Sequence, residues 1–151
     1  MEKHILPVYG LKCEHAARTF GSLLIFDFGK KSYYTSGRTG KRMATWEWTI
    51  MVGDCDWELL KNGEVICSSK QNSKDIDGWV KMVEGRVIQK IKVAKDFRRT
   101  EFCFEGIKLV ADHNPRNSNQ DWSMRLRDGR YLLVGPKRKW WVVDGDSREE
   151  W

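Results

Sequence analysis

The sequence has no long apolar run. Its longest, Leu23-Leu24-Ile25-Phe26, falls far short of the roughly 20 residues that a membrane-spanning helix needs. It also has no export signal: Met1-Glu2-Lys3-His4-Ile5-Leu6-Pro7 carries an early acid, and no apolar stretch of adequate length follows. These absences predict a soluble, cytoplasmic protein with no membrane partner. The four cysteines, Cys13, Cys55, Cys67 and Cys103, lack the paired spacing of a metal site or redox motif. They read as free thiols that behave as small hydrophobes. His15 is the only histidine near a cysteine, and a Cys13/His15 metal site would need two further ligands that the sequence does not suggest.

Catalytic patterns are missing too. No Gly-x-x-x-x-Gly-Lys-Ser/Thr loop is present; Ser36-Gly37-Arg38-Thr39-Gly40-Lys41-Arg42 has the glycines and cations without the spacing or the final hydroxyl. Gly21-Ser22 is not part of a nucleophile elbow. Cys13 and His15 would share a face of a strand, but no orienting or oxyanion group accompanies them. Asp54 and Asp56 flank Cys55 as a weak hard-cation pair, and read better as solvated acids at a strand end. Asp56 and Asp121, each just before a tryptophan, are expected to tie a turn backbone. The reading is therefore non-enzymatic, with no catalytic residue, no metal ligand and no cofactor.

What is present is an ordinary globular composition: 151 residues, 40% hydrophobic and 32% charged, which fits one domain over residues 1–151. Eight tryptophans are many for this length, and large aromatics anchor cores and interfaces alike. The net charge of +6 favours acidic partners: nucleic acid, an anionic membrane face or an acidic protein.

Period-two patterning dominates. Trp46, Trp48, Ile50 and Val52 fall on one face of a strand, as do Phe102 and Phe104, and likewise Leu24, Phe26 and Phe28. Segments 87–93, 131–134 and 140–143 read as further strands. Asn62-Gly63 and Asp128-Gly129 are hairpin signals of the type I′ kind, pairing 57–60 with 64–67 and 122–126 with 130–134. One helix is expected at about 74–83. Ser73 would cap it, and Ile76, Trp79, Val80 and Val83 would form its apolar stripe. Gly78 weakens that helix by about 1 kcal/mol relative to alanine. The fold class is thus mainly β, with antiparallel sheets and one short linking helix.

The two sides of that helix resemble each other, over about 8–68 and 84–135. Phe26-Asp27-Phe28-Gly29, Asp56-Trp57 and Asn62-Gly63 recur as Phe102-Cys103-Phe104-Glu105-Gly106, Asp121-Trp122 and Asp128-Gly129. The first half carries about ten extra residues between Phe-x-Phe and Asp-Trp. They include the basic stretch 36–42, expected to be a flexible loop without strand patterning. A polar loop at 112–120 and a highly charged tail, Asp144 to Trp151, expected to fray unless Trp151 docks, complete the chain.

The pieces Gly10-Leu11-Lys12-Cys13, Gly21-Ser22-Leu23, Trp46-Glu47-Trp48-Thr49-Ile50, Cys55-Asp56-Trp57, Val83-Glu84-Gly85 and Phe102 to Gly106, in this order, resemble an uncharacterised family of small bacterial proteins. The resemblance covers most of residues 8–135; Glu14 stands where the family often has an aromatic. It implies a bacterial, cytosolic origin and no catalytic residue. Small β-rich proteins of this kind are often immunity proteins of contact-delivered toxins, an analogy of class only.

Two functions follow as expectations. The first is an immunity or inhibitor protein that neutralises a cognate bacterial toxin; Trp and Arg are favoured interface anchors and both abound here. The second is a nucleic-acid-binding module with a basic, tryptophan-containing β surface. The candidate partner-binding residues are Arg38, Lys41 and Arg42 in the first basic stretch and Lys137, Arg138, Lys139, Trp140 and Trp141 in the second. Arg98-Arg99, opposite Lys90 and Lys92, and Arg125, Arg127 and Arg130 could extend the second patch. No residue pattern requires a dimer.

Overall fold

A computed structural model describes residues 1–116 and 120–145; Trp151 and the middle of the polar loop at 112–120 lie outside the described residues. The strands are β1 (Cys13–Arg18), β2 (Leu24–Thr35), β3 (Arg42–Val52), β4 (Cys55–Lys61), β5 (Glu64–Ser68), β6 (Ile88–Val93), β7 (Arg99–Phe104), β8 (Ile107–His113), β9 (Trp122–Arg125), β10 (Tyr131–Gly135) and β11 (Lys139–Val143). Helix α1 (Glu2–Ile5) opens the chain, and α2 (Ser73–Val80) stands between β5 and β6; each runs on into a single 3₁₀ turn. The fold is mainly β, as the alternation predicts.

All strand pairs are antiparallel, in two sheets ordered β1-β2-β3-β9-β10-β11 and β5-β4-β8-β7-β6. Each sheet therefore mixes the two halves: the first joins β1-β2-β3 to β9-β10-β11, and the second joins the hairpin β4-β5 to β6-β7-β8. The hairpin β4-β5 leaves its own half to pair with β8, and β9-β10 crosses the opposite way to pair with β3. The equivalence extends to individual residues. Trp57 pairs with Ala111 as Trp122 pairs with Val52. Strands β1 and β6 bulge at the same place, between Cys13 and His15 and between Ile88 and Lys90.

The two halves meet at a bridge between Lys12 and Val87. Around it, Gly10 N donates to Ile88 O and Gly85 N to Cys13 O, both at 2.8 Å. Gly10 and Gly85 both hold φ at +85°, a region that L side chains rarely occupy, so glycine is required where each half turns from its helix into its first strand.

The sheets pack over one core. Phe26 and Phe28 meet Phe104 at ring distances of 5.7 and 6.3 Å, and Phe102 meets Trp122 edge-on at 5.2 Å. Trp57 and Trp122 are both buried with their indole N–H groups satisfied, by Ser22 O at 2.8 Å and Thr100 Oγ1 at 2.9 Å. Burying an unpaired indole N–H would cost about 1–3 kcal/mol, which explains the fixed partners.

Three local expectations need correction. Asn72, not Ser73, caps α2: its Oδ1 accepts from Asp75 N at 2.9 Å. Ile76, Val80 and Val83 form the buried stripe, whereas Trp79, at the margin of that stripe, is left 38% exposed. At Asn62-Gly63 both residues have positive φ, as a type I′ turn needs, but at Asp128-Gly129 only Gly129 does. That second hairpin closes through Gly129 N to Leu126 O and Leu126 N to Arg130 O, a three-residue loop with glycine in the left-handed position.

Candidate functional site: a cationic β arm

Strands β2 and β3 run well past the sheet that anchors them. β1 covers β2 only as far as Phe28, and β9 covers β3 only as far as Thr49. Beyond these points the two strands have only each other, from Lys31 opposite Trp46 to Thr35 opposite Arg42. In the second half the corresponding strands turn at once: Phe104 pairs with Ile107 across Glu105 and Gly106. The arm is thus an addition to the first half, as β11 is to the second.

Its root is built by a bulge between Phe28 and Lys31. Gly29 there holds φ at +85°, and a Cβ would come within 2.9 Å of the Cβ and Oε1 of Glu47, so only glycine fits. Glu47 fastens the bend: Oε1 accepts from Lys30 N at 2.8 Å, and Oε2 pairs with Arg127 Nε at 3.1 Å. The tip, Ser36 to Lys41, is closed by Ser36 N to Lys41 O and Gly40 N to Ser36 O, both 2.8 Å. The basic stretch expected as a loop over 36–42 is a loop over 36–41 at the end of a long strand pair, and only Arg42 belongs to a strand. Arg42 is the first residue of β3, Arg38 and Lys41 lie in the closed tip, and strand flanks it on both sides.

The arm is chemically one-sided. Between Asp27 and Glu47 there is no acid, while Lys30, Lys31, Arg38, Lys41 and Arg42 all fall there. Most of the chain's excess charge therefore sits on one ribbon. Aromatics accompany the cations: Tyr33 and Tyr34 are each 52% exposed. Arg42 Cζ lies 4.1 Å from the Tyr33 ring centre; Lys31 Nζ lies 5.2 Å from the same ring and 5.5 Å from that of Trp46. Such contacts hold the long side chains in place on a two-stranded ribbon that would be marginal alone.

The second basic cluster is not continuous with the first. Lys137 and Arg138 form the turn between β10 and β11, and Lys139, with φ of +62°, enters the edge strand β11 with Trp140 and Trp141. The registers carry Leu24, Val52, Trp122, Val134 and Trp140 along one row, with Gly135 and Lys139 just beyond it, away from the arm. At about 3.3 Å per residue the two clusters stand on the order of 35 Å apart along the strands. Arg138 lies over the Trp141 ring at 4.7 Å, and Trp140 tilts against His4 at 6.2 Å.

Nor do the expected neighbours join that cluster. Arg125, Arg127 and Arg130 sit at the opposite end of the β9-β10 hairpin, and Arg125 and Arg127 reach the arm root instead. Lys92 stands opposite Glu101, and Lys90 opposite Cys103, rather than opposite Arg98 or Arg99. Arg99 pairs with Asp112 at 3.3 Å.

The other polar groups have structural partners. The Cys13 thiol faces the His15 carbonyl at 3.4 Å, and burial pushes it up to about 12, the opposite of an activated nucleophile. His15 Nδ1 instead meets the buried carboxylate of Asp27 at 2.8 Å, whose second oxygen accepts from Thr49 Oγ1. Asp121 meets His113 Nδ1 at 2.8 Å, and burial raises its pKa. Asp56 accepts from the Asn114 side chain at 3.5 Å. Among the described residues the carboxylates of Asp56 and Asp121 meet side chains, Asn114 and His113, and not a turn backbone. Among the described residues no group of three or more His, Cys, Asp or Glu could hold a metal ion, and no helix is long and apolar enough to cross a membrane.

No family model matches the chain, and neither a curated protein nor a solved structure is detectably similar to it.

Proposed function

We propose that the protein acts by binding, as an inhibitor that seats the β2-β3 arm against an acidic partner protein; a toxin-neutralising immunity protein is the concrete form of this reading. The observation that carries it is the concentration of five cations and no acid, with exposed tyrosines, on a ribbon that contributes little to the core. Tyrosine and arginine are interface anchors, and the arm presents both already held by mutual contact. Charge of one sign on a projecting element also steers encounter with an opposite surface.

A second reading, nucleic-acid binding, has one specific support: a two-stranded ribbon is of a size to enter a duplex major groove. Against it, the Tyr33 ring is already paired with Lys31 and Arg42, and the Trp141 ring with Arg138, which leaves Tyr34 as the arm's exposed ring for base stacking.

The test compares three tagged proteins on a lysate of the source cell, half of it nuclease-treated. They are the wild type, Arg38→Ala/Lys41→Ala/Arg42→Ala, and Lys137→Ala/Arg138→Ala/Lys139→Ala. The expected result is one protein partner that survives nuclease, is lost with the arm variant and is retained by the turn variant. Recovery that disappears with nuclease, and an affinity that falls steeply with salt, would establish the nucleic-acid reading instead. Equal recovery by the wild type and the arm variant would overturn the arm as the binding element.

A further inference from the structure

The root of the arm borders an open cavity of about 290 Å³ on the side where β9 ends. Its walls are strongly biased toward anion binding. Lys30, Arg125 and Arg127 supply positive charge, and Ser32 and Thr45 supply hydroxyl donors. The one acid in the lining, Glu47, already spends both oxygens, on Lys30 N–H and Arg127 Nε. Arg125 is fixed rather than neutralised: its Nη1 donates to the Trp46 carbonyl at 2.9 Å, which leaves the rest of a five-donor fork for another acceptor. Among the described residues neither Lys30 nor Arg125 has a carboxylate partner.

A guanidinium fork pinned by a backbone carbonyl, with an ammonium and two hydroxyls around it, matches the acceptor geometry of a carboxylate, which takes paired N–H and O–H donors on two oxygens. We propose that this cavity is a carboxylate-binding site that receives a Glu or Asp side chain of the partner, with Arg125 and Lys30 as its anchors. The proposal rests on the reading of the arm as a protein-binding element and adds where along it the partner's acid is held. The arm then contributes in two ways: its tip supplies long-range attraction, and its root supplies a directional contact that fixes register.

The test uses the intact protein labelled with ¹⁵N and a hexaglutamate peptide as the probe. Saturable shifts are expected in the Lys30 amide, the Trp46 indole N–H and the Arg125 Nε–H. The apparent affinity should fall about fivefold in Lys30→Gln, an exposed change that leaves the Glu47 bond to the Lys30 backbone intact. It should be nearly unchanged in Lys95→Ala, an exposed position in the turn between β6 and β7. Shifts confined to the tip, or shifts that Lys30→Gln does not weaken, would overturn the proposal. So would saturation by inorganic phosphate at concentrations where hexaglutamate has no effect, because the site would then prefer a phosphoryl group. A natural partner whose capture needs the arm tip but is indifferent to Lys30→Gln would sink the carboxylate site while leaving the arm reading intact.

Discussion

Tyr9 and Glu84 hold equivalent places in the two halves, each one residue before the glycine that turns the chain, and each reaches across to the bulged strand of the opposite half. Ile91 N donates to Tyr9 Oη at 3.0 Å, and Ala16 N donates to Glu84 Oε1 at 3.1 Å. Ile91 and Ala16 are themselves equivalent, each six residues after its glycine. A phenol and a carboxylate thus satisfy the same backbone N–H freed by the same bulge.

Removing either acceptor should destabilise the fold, because a backbone N–H beside the core would lose its partner. Tyr9→Phe is expected to cost about 1–2 kcal/mol, since the hydroxyl also donates to Ile91 O at 3.2 Å. Urea denaturation of the variant against the wild type measures this directly, with the midpoint shifting and the slope unchanged.

Glu84 adds a pH signature. Burial pushes its pKa up, but the Ala16 N–H and Lys81 outweigh this and hold it below the ordinary value of 4.5. A depressed acid stabilises the folded state fully above its unfolded pKa, and this contribution disappears as pH falls through the folded value. The stability difference between wild type and Glu84→Gln should therefore be constant near neutrality and shrink below about pH 4.5. A difference that grows on acidification would contradict the assignment.

Asp121 should act with the opposite sign. Its pKa is raised by burial, so the folded protein binds a proton more readily than the unfolded chain in the range just above 3.8. Stability from this group falls as pH rises through that range. Asp121→Asn should flatten that part of the pH–stability profile, which a series of thermal melts between pH 3 and 7 on the order of half a unit apart would resolve.

The arm should be dispensable for folding. Replacing residues 29–47 by Asn-Gly would join Phe28 to Trp48 as Glu105-Gly106 joins Phe104 to Ile107. Five cations and one acid leave with it. The far-ultraviolet circular dichroism should retain its strand signature and a cooperative melt, while binding to the acidic partner is lost. A shortened protein that fails to fold would mean that the arm carries a core role.

Thiol reactivity should follow exposure. Cys13, Cys55 and Cys67 are buried and Cys103 is half-buried. A disulfide reagent at neutral pH should label Cys103 first, with the other three appearing together only on unfolding, and early labelling of Cys13 would show that its strand opens locally.

Much of this architecture is legible locally. Phe102 and Phe104 share a buried face because alternation places them there, and Asn62-Gly63 announces its turn because both residues tolerate positive φ. The arm is not legible in that way. Lys31 to Thr35 and Arg42 to Thr45 bury no face, so no apolar alternation marks them as strand, and their pairing comes from being continuous with β2 and β3. The exchange of hairpins between sheets is likewise invisible, because it depends on which distant edges meet rather than on any local pattern. The separation of Arg125 and Arg127 from Lys137, by contrast, is local: the turns before and after β10 lie at its opposite ends, as successive turns of a meander must.

The exchanged hairpins also determine how the chain can be divided. Neither half can complete a sheet by itself: residues 1–72 lack the strands that β3 needs, and residues 73–145 lack those that β8 needs. Cut in the segment between β5 and α2 and produced as two polypeptides, each piece would carry an open sheet edge that only the other fits. The molecule is therefore suited to split-protein complementation, with reassembly reported by the paired burial of Trp57 and Trp122.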